Sequence, residues 1–184
     1  MVAASSAAAN IEGFVSSTMT AYYNAAITFT GQNMGAGKYK RIDTIAKVCT
    51  ALIFVTWILL GGSVLIFGGR LLSFYTTDPA VIDLGMIRMR VMMAAFFTCG
   101  IMNVFPGLSR GMGYSVLPMV ISLAGACLMR IVWLVTMFAW YPTISMLFFS
   151  YPVTWALAGL GQVGIFFYAR HKVRRKASSE AVIS

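Results

Sequence analysis

Apolar residues run along this chain in long blocks that no charge interrupts. Residues 13–37, 48–69, 91–109, 111–129 and 131–169 contain no Asp, Glu, Lys, Arg or His. A helix that crosses a bilayer needs roughly 20 mainly apolar residues. The last block is about twice that length, and Tyr141-Pro142-Thr143 breaks it near its start. The pattern predicts an all-α, polytopic transmembrane bundle of about five spans, at about 11–32, 44–67, 84–108, 116–140 and 143–168. Residues 1–169 form the transmembrane domain and 170–184 a basic tail, of which 178–184 is expected to be disordered.

The polar punctuation between the blocks sets direction. Gly35-Ala36-Gly37 ends the first span, and Lys38, Lys40, Arg41 and Lys47 follow it. A connector over 68–83 contains Leu71, Leu72, Phe74 and Tyr75, expected at the membrane interface. Within it Asp78-Pro79 reads as a helix cap followed by a first-turn proline. Asn103 and Pro106 interrupt the third span, and the proline predicts a bend there. Ser109-Arg110-Gly111-Met112-Gly113 is a tight turn. The two strongest basic clusters, Lys38 to Lys47 and Arg170 to Lys176, are placed on the cytoplasmic side. An even number of spans separates them, which puts the Arg110 turn inside, and the Arg70 connector and the Trp140-Tyr141-Pro142 turn outside. Met1 then falls outside with no signal to carry it there, so upstream helices are expected.

Composition narrows the function. Hydrophobic residues make up 59% and charged residues 10%, against about 25% charged in a soluble domain. The net charge of +9, from 14 Lys and Arg against 5 Asp and Glu, sits mostly at span ends, so no nucleic-acid partner is expected. Cys49, Cys99 and Cys127 lie in apolar segments without metal-ligand spacing. Gly31 to Lys38 has the outline of a phosphate loop but carries Gln32 where a glycine is required and Tyr39 where Ser or Thr is required. Gly35-x-Gly37 and Gly111-x-Gly113 lack the third glycine of a dinucleotide fingerprint. There is no paired-acid motif, no His and Cys cluster and no nucleophile with its base, so neither an enzyme nor a cofactor is expected.

The first span places Glu12, Ser16, Thr20, Asn24, Thr28 and Gln32 at every fourth position. Such a row drifts by about 40° per step around a 3.6-residue helix. It serves either interhelical hydrogen bonds or a path for substrate or ions. Glu12 is either a solvated acid at a helix start or a carboxylate that couples to a cation or proton. Arg130, inside the fourth span, either snorkels outward or faces a water-filled cavity. Trp57, Trp133, Trp140 and Trp155 read as packing or interface anchors, and His171 as a solvated tail residue.

The stretch Ala21 to Arg41, with Gly31-Gln32-Asn33-Met34-Gly35-Ala36-Gly37 and the basic residues after it, resembles the multidrug and toxic compound extrusion (MATE) family. Ser109-Arg110-Gly111-Met112-Gly113 with Pro118 is similar to that family's Leu-Arg-Gly-x-Gly turn between helices ten and eleven, with Ser109 in place of the usual Leu. Arg130-Ile131 resembles its helix-eleven Arg-Ile pair. The resemblance implies helices eight to twelve of a twelve-helix, two-lobed transporter, a C-terminal-lobe piece inactive without its N-terminal lobe. It also implies export of organic cations or amphipathic drugs across the plasma membrane, in exchange for Na+ or H+, with the C-terminus cytoplasmic. Its partners would be membrane lipid, the other lobe and a small-molecule drug. The third span has no interior carboxylate, which leaves coupling to an acid elsewhere. Tyr23, Asn24, Thr28, Met102, Asn103 and Arg130 are the substrate-cavity candidates, and Glu12 the ion-coupling candidate. Gly31, Gln32, Asn33, Gly35 and Gly37, with Arg110, Gly111 and Gly113, form the structural motif. The glycines are expected to allow close packing at the turn, and Gln32 and Asn33 to bind backbone groups freed at the helix end. The alternatives are a small structural or assembly membrane protein, or a relative of lipid or oligosaccharide flippases.

Overall fold

The structure is a computed structural model that describes residues 2–75, 78–138 and 144–183. Among the described residues it is helical throughout, with no strand. Helix α1 (Val2–Gly35) begins nine residues before the expected position 11, because Ala3, Ala4, Ala7, Ala8 and Ala9 are the strongest helix formers and extend it. Helix α2 (Lys40–Ser73) absorbs part of the expected connector and passes through a π-helical turn at Trp57–Gly61. Helix α3 (Pro79–Ala94) starts on the proline, as its fixed backbone angle favours, and helix α4 is Phe96–Gly111. Helix α5 occupies 116–138 and contains π-helical turns at Ala124–Leu128 and Leu134–Phe138. Helix α6 (Ile144–Ile183) carries the basic tail as a continuation of the last span. The tail is therefore helical through Ile183 rather than disordered, since Lys172, Arg174, Arg175, Lys176 and Ala177 are good helix formers. The Trp140-Tyr141-Pro142 turn and position 143 lie outside the described residues.

The third span is bent, but not where its proline stands. Pro106 lies inside an unbroken α4, where it removes a single helical hydrogen bond, to the Met102 carbonyl. The break is at Ala95 (φ −98°, ψ 4°), and α3 and α4 meet there at 48°. Backbone and side-chain donors satisfy carbonyls at the break. The Thr98 amide and hydroxyl donate to the Ala95 carbonyl at 3.0 and 2.6 Å. The Trp57 indole N–H donates to the Met93 carbonyl at 2.8 Å.

Helix α4 is the centre of the bundle, between α1 on one side and α6 on the other. Glycines let it approach that closely. A Cβ at Gly107 would stand 2.8 Å from the Tyr23 carbonyl, and one at Gly111 would stand 2.6 Å from Thr30 Cβ. Gly107 and Gly111 are four apart, the small-xxx-small spacing that brings membrane helix backbones together. Gly100 makes the same kind of contact with Ile53 of α2, and Gly125 with Ala158 where α5 meets α6. The core beneath the α3–α4 break is rich in methionine, with Met19, Met89, Met92 and Met93 fully buried. Their flexible thioethers fill the irregular space that a bent pair leaves.

The outer faces are apolar. On α2, Val48, Leu52, Val55, Leu59 and Ile66 are exposed, as are Val120, Leu123, Ile131 and Val135 on α5. Length and apolar composition qualify two helical stretches to cross a membrane, Lys40–Ser73 and Phe149–Ala177, or three if the bent pair is one span. Asp43 on α2 ties the two basic clusters to one end of the bundle. It pairs with Arg170 (Nε to Oδ1, 2.6 Å) and with Arg174.

Candidate functional site

The two glycine turns have the same construction. At the end of α1 the Lys38 amide bonds the Asn33 carbonyl (2.9 Å), the Gly37 amide bonds the Met34 carbonyl (3.1 Å), and Gly37 has φ +69°. At the end of α4 the Tyr114 amide bonds the Ser109 carbonyl (3.0 Å), the Gly113 amide bonds the Arg110 carbonyl (2.9 Å), and Gly113 has φ +91°. Both are Schellman caps, in which glycine alone takes the left-handed angle without cost. The expected role of Gly35 needs correction. A Cβ there meets nothing within 4 Å, and its φ is not positive, so it makes no tight contact. Gly31 is only in ordinary contact, 3.9 Å from the Gly111 carbonyl. Asn33 donates back to the Phe29 carbonyl at 2.8 Å inside α1 rather than to the free helix end, and Gln32 is exposed. Backbone bonds already close the turn, which leaves these side chains no capping to do.

Tyr23 and Arg110 meet across the α1–α4 contact. The Arg110 guanidinium donates to the Tyr23 hydroxyl at 2.6 Å, and its carbon lies 5.7 Å from the ring centre. Next to Tyr23, Tyr22 shares a 2.6 Å hydrogen bond with Thr56 of α2. α1 is thus held by neighbouring tyrosines to two different helices. Its opposite face is uncovered. Thr20, Asn24, Thr28 and Gln32 are exposed, with Ser17, Ala21 and Gly31 beside them. The hydroxyls of Ser16, Ser17 and Thr20 return to carbonyls of their own helix, whereas Asn24 and Thr28 have no side-chain partner among the described residues.

The other candidates stand apart from this face. Asn103, on α4, donates to the Cys99 carbonyl at 2.8 Å and is half-buried, as is Met102. Arg130 is half-buried and lies against α6. Its guanidinium stacks 3.9 Å above the Tyr151 ring of α6, and its Nε is buried without a hydrogen-bond partner among the described residues. Glu12 is held by both oxygens to Arg88 of α3, at 3.0 and 2.9 Å, with side chains 15% and 14% exposed. It lies towards the end of the bundle opposite Asp43. Among the described residues no group of His, Cys, Asp or Glu could hold a metal ion.

Several residues of structural weight were missed in the sequence. Gly107 carried a readable signal, its four-residue spacing from Gly111. Asp43 carried one too, as the lone acid in a basic cluster. Gln162 carried little. It is fully buried and donates to the Pro118 carbonyl at 2.8 Å and to Ser122 at 2.9 Å, which fastens α6 to α5.

A helical bundle with a largely apolar exterior and close glycine crossings is built as a membrane protein. The MatE family model matches residues 1–136, and the chain belongs to that transporter family. No curated protein and no solved structure matches it.

Proposed function

We propose that the chain is the C-terminal lobe of a multidrug antiporter, supplying helices eight to twelve of a twelve-helix transporter. In this reading it exports organic cations and other amphipathic compounds in exchange for Na+ or H+. The five spans are α1, α2, the bent α3–α4 pair, α5 and α6. Alternating access comes from this lobe rocking against an N-terminal lobe around a central cavity. The basic end faces the cytoplasm and the protein sits in the plasma membrane.

The observation that carries the reading is the bare face of α1. A membrane helix does not present Asn24 and Thr28 to lipid, because polar groups there face a protein partner or water. Away from its charged ends the exposed surface of α2 and α5 is mainly apolar and suited to lipid, and its Ser63 and Thr136 hydroxyls are returned to carbonyls of their own helices. The polar face therefore borders the cavity between the lobes. Tyr23 anchors its helix through Arg110, and Met102, Asn103 and Arg130 are the candidates nearer the bundle interior. Glu12 is the acid of this helix, and a cation that reaches it must displace the Arg88 guanidinium. The π-helical turns in α2 and α5 add support, since such turns are frequent at functional sites.

One lobe cannot enclose a two-lobed cavity. The purified 184-residue chain in liposomes should therefore move no cationic dye under a Na+ or H+ gradient. Gradient-dependent dye transport by this chain alone would contradict the reading.

A further inference from the structure

A groove of about 600 Å³ runs between α2 and α6, with α4 as its floor. Its charge is all at one end, where Asp43, Lys47 and Arg170 stand. From there it passes Thr50, whose hydroxyl is turned back to the Ala46 carbonyl at 2.8 Å, and becomes wholly apolar. Phe54 meets Phe97 edge-on at 5.8 Å, and Phe105 meets Phe166 edge-on at 5.4 Å.

Length says what fits. From Asp43 to Phe54 is eleven residues of α2, about 16 Å at about 1.5 Å per residue. The hydrocarbon core of a bilayer is about 30 Å thick, so the groove is one leaflet deep. A transmembrane helix would need a groove across both leaflets, whereas an acyl chain needs one. Charge says which headgroup fits. One carboxylate, Asp43, is shared by Arg170 and Arg174, and Lys47 is exposed with no ion-pair partner among the described residues. Lys47, Arg170 and Arg174 outnumber Asp43 at this end, which leaves a net positive charge suited to a headgroup whose phosphate is not offset by a cation.

We propose that this groove is a binding site for an anionic phospholipid of the leaflet at the basic end. One acyl chain lies among the phenylalanines, and the phosphate lies against Lys47 and Arg170. The proposal depends on that end being at a membrane surface and not on what the transporter carries.

The test is native mass spectrometry of the detergent-purified chain with phosphatidylglycerol and phosphatidylcholine of identical acyl chains. Phosphatidylglycerol should be retained roughly fivefold better, the factor expected of one basic residue near an anionic group. Lys47→Gln should abolish that preference, whereas Arg175→Gln, outside the groove, should leave it unchanged. Ala51→Trp, which fills the groove, should reduce retention of both lipids. Equal retention of the two lipids, or an undiminished preference in Lys47→Gln, would overturn the proposal. A photo-reactive residue at position 51 provides a second measurement in cell membranes. Its adduct should have the mass of a phospholipid, and an adduct with a polypeptide would assign the groove to a protein partner instead.

Discussion

At the scale of single residues, what a glycine does here depends on what faces it. Gly107 and Gly111 are pressed against the backbone and side chains of α1, whereas Gly35 faces open space. The difference predicts opposite outcomes for one kind of substitution. Gly107→Ala pushes a methyl to within 2.8 Å of the Tyr23 carbonyl, and overpacking of this sort costs about 1–3 kcal/mol. Gly35→Ala should be neutral. Thermal unfolding followed by size-exclusion chromatography in detergent distinguishes them. A lowered midpoint for Gly107→Ala beside an unchanged one for Gly35→Ala is expected, and the reverse order would refute the assignment. The same contrast shows how far the motif was legible. That glycines end the first span followed from residue types alone, because a left-handed cap needs glycine. Which glycine takes the positive angle depends on the residue at which the helix ends, and which glycine is pressed against a neighbour depends on how the helices cross.

At the scale of the helix, the bend in α3–α4 is the clearest case of tertiary structure overriding a local signal. Proline marks position 106 in the sequence, yet the helix breaks at Ala95. One missing donor is tolerated within a packed helix. The break instead sits where Trp57 reaches across from another element to take the freed Met93 carbonyl. Trp57 itself opens the π-helical turn of α2, and its ring lies 3.4 Å from where a Cβ on Gly61 would stand. The two irregularities therefore face each other and share one hydrogen bond. Trp57→Phe keeps the ring but removes the donor, and leaves a buried carbonyl unpaired at about 1–3 kcal/mol. The thermal midpoint should fall by several degrees, while Trp155→Phe, whose ring packs edge-on against Phe96 and Tyr151, should cost less. Equal losses in the two variants would show that the indole donor does not hold the break. Long apolar blocks were enough to read an all-helical chain, whereas length and apolar composition qualify two helical stretches as spans, or three with the bent pair, against the five expected. Helix ends were less legible, because alanines before the first apolar block and basic residues after the last one are good helix formers and continue α1 and α6 beyond those blocks.

At the scale of the molecule, charge segregates to the two ends. Asp43 joins the start of α2 to the tail of α6, and Glu12 joins α1 to α3 at the opposite end. That both basic clusters share one end was readable from the parity of the spans. That a single aspartate ties them together was not, since the partners are more than a hundred positions apart in the chain. With the basic end in the cytoplasm, a cysteine at position 40 or 174, in a variant lacking Cys127, should be shielded from an impermeant thiol reagent added to intact cells. A cysteine replacing the exposed Asp83 should react. Labelling at position 40 from outside would invert the topology.

The central claim is that the bare polar face of α1 borders a water-filled path. Cysteines placed one at a time at Thr20, Asn24 and Thr28 should react with a hydrophilic cationic thiol reagent in the membrane-embedded transporter, and a lipophilic organic cation should protect them. Cysteines at Leu52 and Val55, on the apolar face of α2, should not react. Unreactive cysteines at Asn24 and Thr28, or reactivity there that no organic cation reduces, would contradict the account.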